Sequence, residues 1–352
     1  MQWESGWTTG FWRTYQMAIS SDTLVLTTKD WIRAGDLLPG DYVYGLDGQP
    51  TKILTTQNYT PTKMYSILLD DGMEILADRH QELPLEDDKY RINLSEFLSR
   101  KRNGTNVRNT KRRAQLRIKT VEHLLESDKR FSIPMAQPIA FRHQDLPVDP
   151  YIAGLWFGFM GCKNTMWLTK DQFKHLEKIF RHNRFKLNKL RTDTLKRNYE
   201  VLPNIGVSFL TDNRFPVIPT TIPKEYLFAS PEQRIEFLRG FFVYRRNCYE
   251  KSRNRYLVVS KDKKLLKLLR FLAEGLGMKT YIKSRSVNGN AYIGLGIRTD
   301  IPLRPEHEPE LRCAVYQRRF INEIEEVDPQ PCTHIKADRP FLIGTEGFIA
   351  IC

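Results

Sequence analysis

Residues 151–161 read YIAGLWFGFMG. Ala153, Gly154 and Gly158 are small enough to let a second helix approach backbone to backbone, while Leu155, Trp156 and Phe157 supply packing bulk. A stretch of the same character recurs downstream as RIEFLRGFFVYRRNC, residues 234–248, with Gly240 in the corresponding place. The first copy runs on into the amphipathic KDQFKHLEKIFRHNRFK, 170–186. The second runs into the strand-like RYLVVS, 255–260, the helix-like KDKKLLKLLRFLAEGLGMKTYIKSRS, 261–286, and the hairpin-like VNGNAYIGLGI, 287–297. An apolar helix with glycine, then a strand region and a Lys-rich helix, occurs twice. This is an internal repeat of about 90 residues and predicts a pseudo-twofold α/β domain.

Working outward, residues 19–86 carry short β-type runs: DTLVLT (22–27), AGDLLPGDYVYGLDGQPTKIL (34–54) and KMYSILLDDGMEIL (63–76). The Pro39-Gly40-Asp41 and Asp47-Gly48 turns between alternating runs predict a compact all-β unit. Residues 100–119, RKRNGTNVRNTKRRAQLRIK, are basic and polar. A short helical pattern follows in 120–128, then a Pro-marked linker in 133–150. The tail PCTHIKADRPFLIGTEGFIAIC, 331–352, returns to β character.

The 352 residues suffice for roughly two or three domains. Lys and Arg exceed Asp and Glu by 55 to 41, a formal charge of +14, which favours a polyanionic partner, nucleic acid first. No apolar run reaches the length that spans a bilayer, and the first 17 residues lack the order of a signal peptide. The five cysteines are scattered and form no CxxC, which argues against a disulfide framework or a zinc knuckle. A soluble intracellular protein of cytoplasm or nucleus, without membrane contact, is expected.

This arrangement resembles an intein, that is, a Hint splicing domain with an embedded LAGLIDADG homing endonuclease. The resemblance rests on DTLVLT with GDLLPGDYVYGLDG (35–48), on FLIGTEGFI (341–349), and on IPKEYLFASPEQRIEFLRGFF (222–242), in that family's order. It implies a multidomain fold, an all-β Hint-type domain interrupted by a pseudo-twofold α+β LAGLIDADG domain. The implied divisions are a flank at 1–17, β domain at 18–99, basic arm and linker at 100–145, LAGLIDADG-type domain at 146–312 with repeats 151–222 and 223–312, and β domain again at 313–352.

The resemblance also assigns functional positions, and most are altered. Splicing starts from a Cys or Ser four positions before the Asp of the DT pair, because an acyl shift needs a nucleophile beside its own peptide bond; Ala18 stands there. Ser20 and Ser21 read as turn or strand-start residues. The Thr-x-x-His motif is Ala77-Asp78-Arg79-His80, retaining only His80. The terminal His-Asn pair corresponds to Ile351 and Cys352. One minority class of inteins, without the N-terminal nucleophile, carries an internal cysteine where Cys332 stands, so His80 and Cys332 are the residual splicing candidates. In the nuclease, each repeat helix ends in an Asp or Glu that holds Mg²⁺ over the scissile phosphates. Here those positions are Phe159 and Arg245, and shifting the alignment by one residue recovers no carboxylate. No metal site and no cofactor are expected.

Family sheets face the major groove of double-stranded DNA, which makes Arg191, Lys196, Arg197, Arg253, Arg255, Lys283 and Arg285 candidate DNA contacts. Arg108, Lys111, Arg112 and Arg113 are candidates on the basic arm. Lys263, Lys264 and Lys267 read as a solvated helix face. Three readings stay open: a degenerate relative, without splicing or cleavage, that still binds duplex DNA; a splicing element caught in disabled form, with residues 1–17 as host flank; and a structural module of a larger nucleoprotein assembly. For the last, Trp3, Trp7, Phe11 and Trp12 would dock a host or assembly protein.

Overall fold

The structure is a computed structural model describing residues 15–87, 117–159, 165–168, 173–178, 187–197, 200–209, 221–243, 245, 248–250, 255–287, 290–299, 301–304, 318–344 and 347–352. The chain divides into two compact units, Met1–Ile139 with Val315–Cys352, and Ala140–Ala314 between them.

The described strands of the first unit are β1 (Tyr15–Ser20), β2 (Leu24–Leu26), β3 (Trp31–Arg33), β4 (Tyr42–Tyr44), β5 (Pro50–Tyr59), β6 (Met64–Leu69), β7 (Glu74–Asp78), β8 (Glu82–Asp87), β9 (Arg117–Thr120) and β10 (Phe131–Pro134), with the short helix α1 (Val121–Leu125) after β9. The inserted unit contributes α2 (Pro150–Phe159), β11 (Thr165–Leu168), β12 (Leu187–Arg197), β13 (Glu200–Phe209), α3 (Lys224–Leu227), α4 (Pro231–Val243), β14 (Tyr249–Glu250), β15 (Arg255–Ser260), α5 (Lys263–Glu274), β16 (Lys279–Val287) and β17 (Asn290–Arg298). The chain then returns with β18 (Arg318–Val327), β19 (Cys332–Ala337), β20 (Phe341–Ile343) and β21 (Ile349–Ile351).

The first unit is an all-β body. Its larger sheet has the order β4-β5-β19-β1-β7-β6-β18-β10-β8-β9, and a smaller one the order β21-β20-β2-β3. Strand β1, from one side of the insertion, pairs antiparallel with β19 from the other, Ala18 opposite His334 and Ser20 opposite Cys332. Residues 15–17, expected in the flank, form the first half of β1 and pair with Ala337, Lys336 and Ile335. The expected arm and linker at 100–145 differ in part from what is seen: the short helix read in 120–128 is present as α1, but 117–120 and 131–134 form β9 and β10, joined to the larger sheet through β8 and β18. The physical reason is the apolar set Val121, Leu124, Phe131 and Ile133, all buried, in a stretch whose basic neighbours mask its pattern. Residues 88–116, including Arg108, Lys111, Arg112 and Arg113, lie outside the described residues, as do residues 1–14 and the aromatics Trp3, Trp7, Phe11 and Trp12.

The second unit shows the repeat as structure. Helix α2, strand β11, a helix over 173–178 and the β12–β13 hairpin are followed by α4, β14–β15, α5 and the β16–β17 hairpin. The sheets run β11-β13-β12 and β14-β15-β17-β16. Local sequence sets the helix starts. Asp149 Oδ1 accepts from the backbone N–H groups of Tyr151 and Ile152 ahead of α2. Ser230 and Gln233 form a reciprocal capping box for α4, whose first residue is Pro231. In α5, Leu266, Leu269, Leu272 and Ala273 are buried while Lys263, Lys264 and Lys267 stay exposed, the solvated face expected of that spacing.

Helices α2 and α4 touch through backbone. A Cβ on Gly154 would lie 1.8 Å from Phe237 O, one on Gly240 1.9 Å from Tyr151 O, and one on Gly158 2.5 Å from Phe241 O. Phe157, Phe237, Phe241 and Phe242 fill the space around this seam and are at most 2% exposed. Gly154→Val is therefore expected to destabilise the second unit by roughly 2–3 kcal/mol or more, as overpacking against rigid backbone does, measured by urea unfolding of the full chain; an unchanged midpoint would contradict this packing.

Candidate functional site

In the first unit the chemistry gathers where β1, β19, β5 and β7 lie side by side. Directly opposed residues of an antiparallel pair share a face, as do residues two apart along a strand. Ala18, Ser20, His334, Cys332 and Tyr59 therefore share one face, since Cys332 opposes both Ser20 and Tyr59. Asp78, at the end of β7, accepts a hydrogen bond from Tyr59 Oη at 2.7 Å. Burial, then this carboxylate, pushes the Tyr59 phenol well above its ordinary range. Burial, then the Asp78 charge, pushes the Cys332 thiol up to about 11. Burial, then Lys336, lowers His334. A thiol held this high is almost entirely protonated at neutral pH and is a poor nucleophile.

The side chain that reaches Ala18 is Gln81, which spacing and resemblance did not single out. It is fully buried. Its Oε1 accepts from Ala18 N at 2.6 Å, and its Nε2 donates to Cys352 O at 3.0 Å and to Glu82 O. One carboxamide thus ties together the backbone at positions 18 and 352. His80, the residual acid expected here, is exposed instead. The chain turns after β7: Gln81 N donates to Asp78 O, His80 N donates to Asp78 Oδ1, and Arg79 pairs with Glu122, so residues 79 and 80 form the turn tip and residue 81 points inward. A carboxamide orients a peptide but neither gives nor takes a proton near neutrality, as the histidine would. Ala77 is buried opposite Ile19. Ile351 and Cys352 are fully buried, and Cys352 N donates to Glu82 O at 3.0 Å.

In the second unit, α2 ends beside residue 245. Arg245 Nη1 donates to Gly158 O at 3.2 Å, its guanidinium lies 5.1 Å from the Phe241 ring centroid, and its own carbonyl accepts from Arg304 Nη1 at 2.7 Å. A helix C-terminus carries partial negative charge from its last carbonyls, and a cation there contributes about 0.3–1 kcal/mol. The described side chains at this junction do not fit a divalent cation: Phe159 has no side-chain oxygen, Arg245 is itself cationic, and Glu250 is committed to Arg255 at 2.5 Å. Among the described residues no group of three or more His, Cys, Asp and Glu could hold a metal ion. The same residues include no helix long and apolar enough to cross a membrane.

The candidate DNA contacts are spread over both sheets. Arg191, Lys196 and Arg197 lie on β12, and Lys283 and Arg285 on β16. Lys283 is exposed. Arg253 lies outside the described residues. Arg255 departs from the expectation: it is 7% exposed, and its guanidinium is held by Glu250 and by Tyr281 Oη. Bonds to Glu250 and Tyr281 from neighbouring strands, invisible in the sequence, hold its guanidinium against the sheet.

The buried thiol makes its own mark on stability. Folding keeps Cys332 protonated above the pH where the unfolded chain releases that proton, so stability present below about pH 9 is lost as pH rises toward 11, by on the order of 2 kcal/mol. Denaturant titrations of wild type and Cys332→Ala are expected to converge over that interval; parallel curves would contradict the assignment.

No protein-family model matches the chain. Over 231 residues it is 27% identical to the replicative DNA helicase DnaB of Mycobacterium intracellulare, which covers 63% of this chain and 36% of that protein, so the chain spans about a third of the curated relative's length. It is similar to the solved Msm DnaB1 intein splicing domain bound with zinc, with 30% identity, 19% of this chain and 55% of that one covered, and a TM-score of 0.19. It is also similar to I-DmoI solved in complex with DNA and Ca, with 13% identity, 48% and 97% covered, and a TM-score of 0.28. The order and make-up of the two units, a β body interrupted by an α/β unit with repeated elements, are those that the resemblance to an intein carrying an embedded homing endonuclease implies.

Proposed function

We propose that the protein is a double-stranded-DNA-binding relative of inteins with an embedded homing endonuclease, in which neither splicing from Ala18 nor strand cleavage operates. The observation that carries this reading is Arg245 donating to Gly158 O, a fixed cation where the resemblance would place carboxylates around Mg²⁺. Loss of splicing is supported by Ala18 itself, by Gln81 in the place expected of His80, and by the high pKa of Cys332. Binding is supported by the +14 charge and by Lys283 on the exposed face of β16. The match to a DnaB helicase supports a helicase as host of the inserted element.

The protein would grip duplex through lysines and arginines on strand faces that contact its phosphates, so affinity should fall steeply as salt rises. Selecting duplexes from a random library at near-physiological salt, then incubating the bound fraction with Mg²⁺, checks both halves of the proposal. Enrichment of a long asymmetric site whose strands stay intact on a denaturing gel is expected. Strand scission would overturn the loss of cleavage. Binding that fades with salt without enriching any site would favour a structural module of a nucleoprotein assembly.

A further inference from the structure

The face of the second sheet that points away from the core of its unit is organised around one aromatic ring. Tyr256, Val258, Leu295 and Ile297 face the core, so by alternation Arg255, Tyr281, Lys283, Gly296 and Arg298 occupy the opposite face. Tyr281 opposes Gly296 directly, and a Cβ on Gly296 would lie 2.1 Å from Tyr281 Cζ. The glycine is the condition for the ring to lie down over β17. The ring is then fixed from its far end: Arg255 Nη1 donates to Tyr281 Oη at 2.6 Å, and Glu250 holds Arg255 Nε at 2.5 Å. Lys283 Nζ and Arg298 Cζ lie 5.8 Å and 5.6 Å from the ring centroid. A half-buried ring anchored at its hydroxyl and flanked by cations on an exposed strand face is an apolar contact surface set among phosphate-attracting charges.

We propose that Tyr281 is a base-contacting residue of the second repeat, reading the C5-methyl group of a thymine in the major groove, and that Arg255 and Glu250 are its positioning residues. With its hydroxyl oxygen held by Arg255, Tyr281 offers ring carbon outward. In the major groove the apolar feature that distinguishes one base from the others is the thymine methyl. Lys283, two residues along the same strand and exposed, supplies the phosphate-directed charge beside it. The inference rests on the proposed binding of duplex DNA and deepens it to one contact.

The test uses the full chain and the duplexes that the wild type selects from a random library. Each thymine in turn is replaced by deoxyuridine, which removes only the methyl group. Wild type should lose about fourfold in affinity at one position, the worth of one buried methyl group. Tyr281→Phe, which keeps the ring but loses the bond from Arg255, should show a reduced penalty like Arg255→Ala. Tyr281→Ala should bind the thymine and uracil duplexes equally while its thermal unfolding stays cooperative, and Arg255→Ala should show a reduced penalty with an unchanged salt slope. A wild type indifferent to uracil at every position, or a Tyr281→Ala protein that keeps the full penalty, overturns this inference and leaves duplex binding standing. Failure of the wild type to enrich any duplex overturns both.

Discussion

The backbone contact between α2 and α4 fixes where two helices end, and the chemistry of the second unit follows from that. Because Gly154, Gly158 and Gly240 admit no side chain without collision, the helices cannot slide or roll, and the last turn of α2 is delivered to residue 245. Two helix ends brought together need a positive charge or a ligand for their outward carbonyls. In this chain the need is met from within, by the Arg245 guanidinium on Gly158 O, with Arg304 bonded to the Arg245 carbonyl beside it. The glycines therefore serve packing irrespective of catalysis.

The first unit depends on a comparable constraint. Pairing of β1 with β19 closes the larger sheet across a long insertion, and it sets Ala18 and Ser20 against His334 and Cys332. Once closed, the sheet buries Cys332 beside Asp78 and lets Gln81 bond to the backbone of Ala18 and of Cys352. The result is a buried hydrogen-bonded centre. Of the titratable groups there, His80 is exposed, His334 is half-buried with its pKa lowered, and Cys332 is held protonated by burial.

Much of this was legible from one-dimensional features. The glycine-bearing helices, the β runs with their turns and the twofold repetition of elements follow from local periodicity and turn chemistry and appear as read, whereas the helix read over 261–286 ends at Glu274 and the last part of that stretch, from Lys279, is strand β16. Three further things escaped. Strands β9 and β10 hid behind a basic stretch. Gln81 was passed over for its neighbour His80, because the inward or outward sense of a residue at a turn is set by backbone hydrogen bonds to Asp78, not by residue type. Arg255 read as a surface cation because its partners, Glu250 and Tyr281, come from other strands. Positions decided by tertiary pairing rather than by neighbours were the ones the chain did not announce.

The central claim is that an arginine holds the place of a divalent cation at the helix junction, and a metal titration tests it most directly. Calorimetric titration of Ca²⁺ into wild type and into a Phe159→Asp, Arg245→Asp double variant is the measurement. The account predicts no stoichiometric binding to the wild type and a new site in the double variant. Stoichiometric Ca²⁺ binding by the wild type that the two substitutions at the junction alter, or no new site in the double variant, would contradict it.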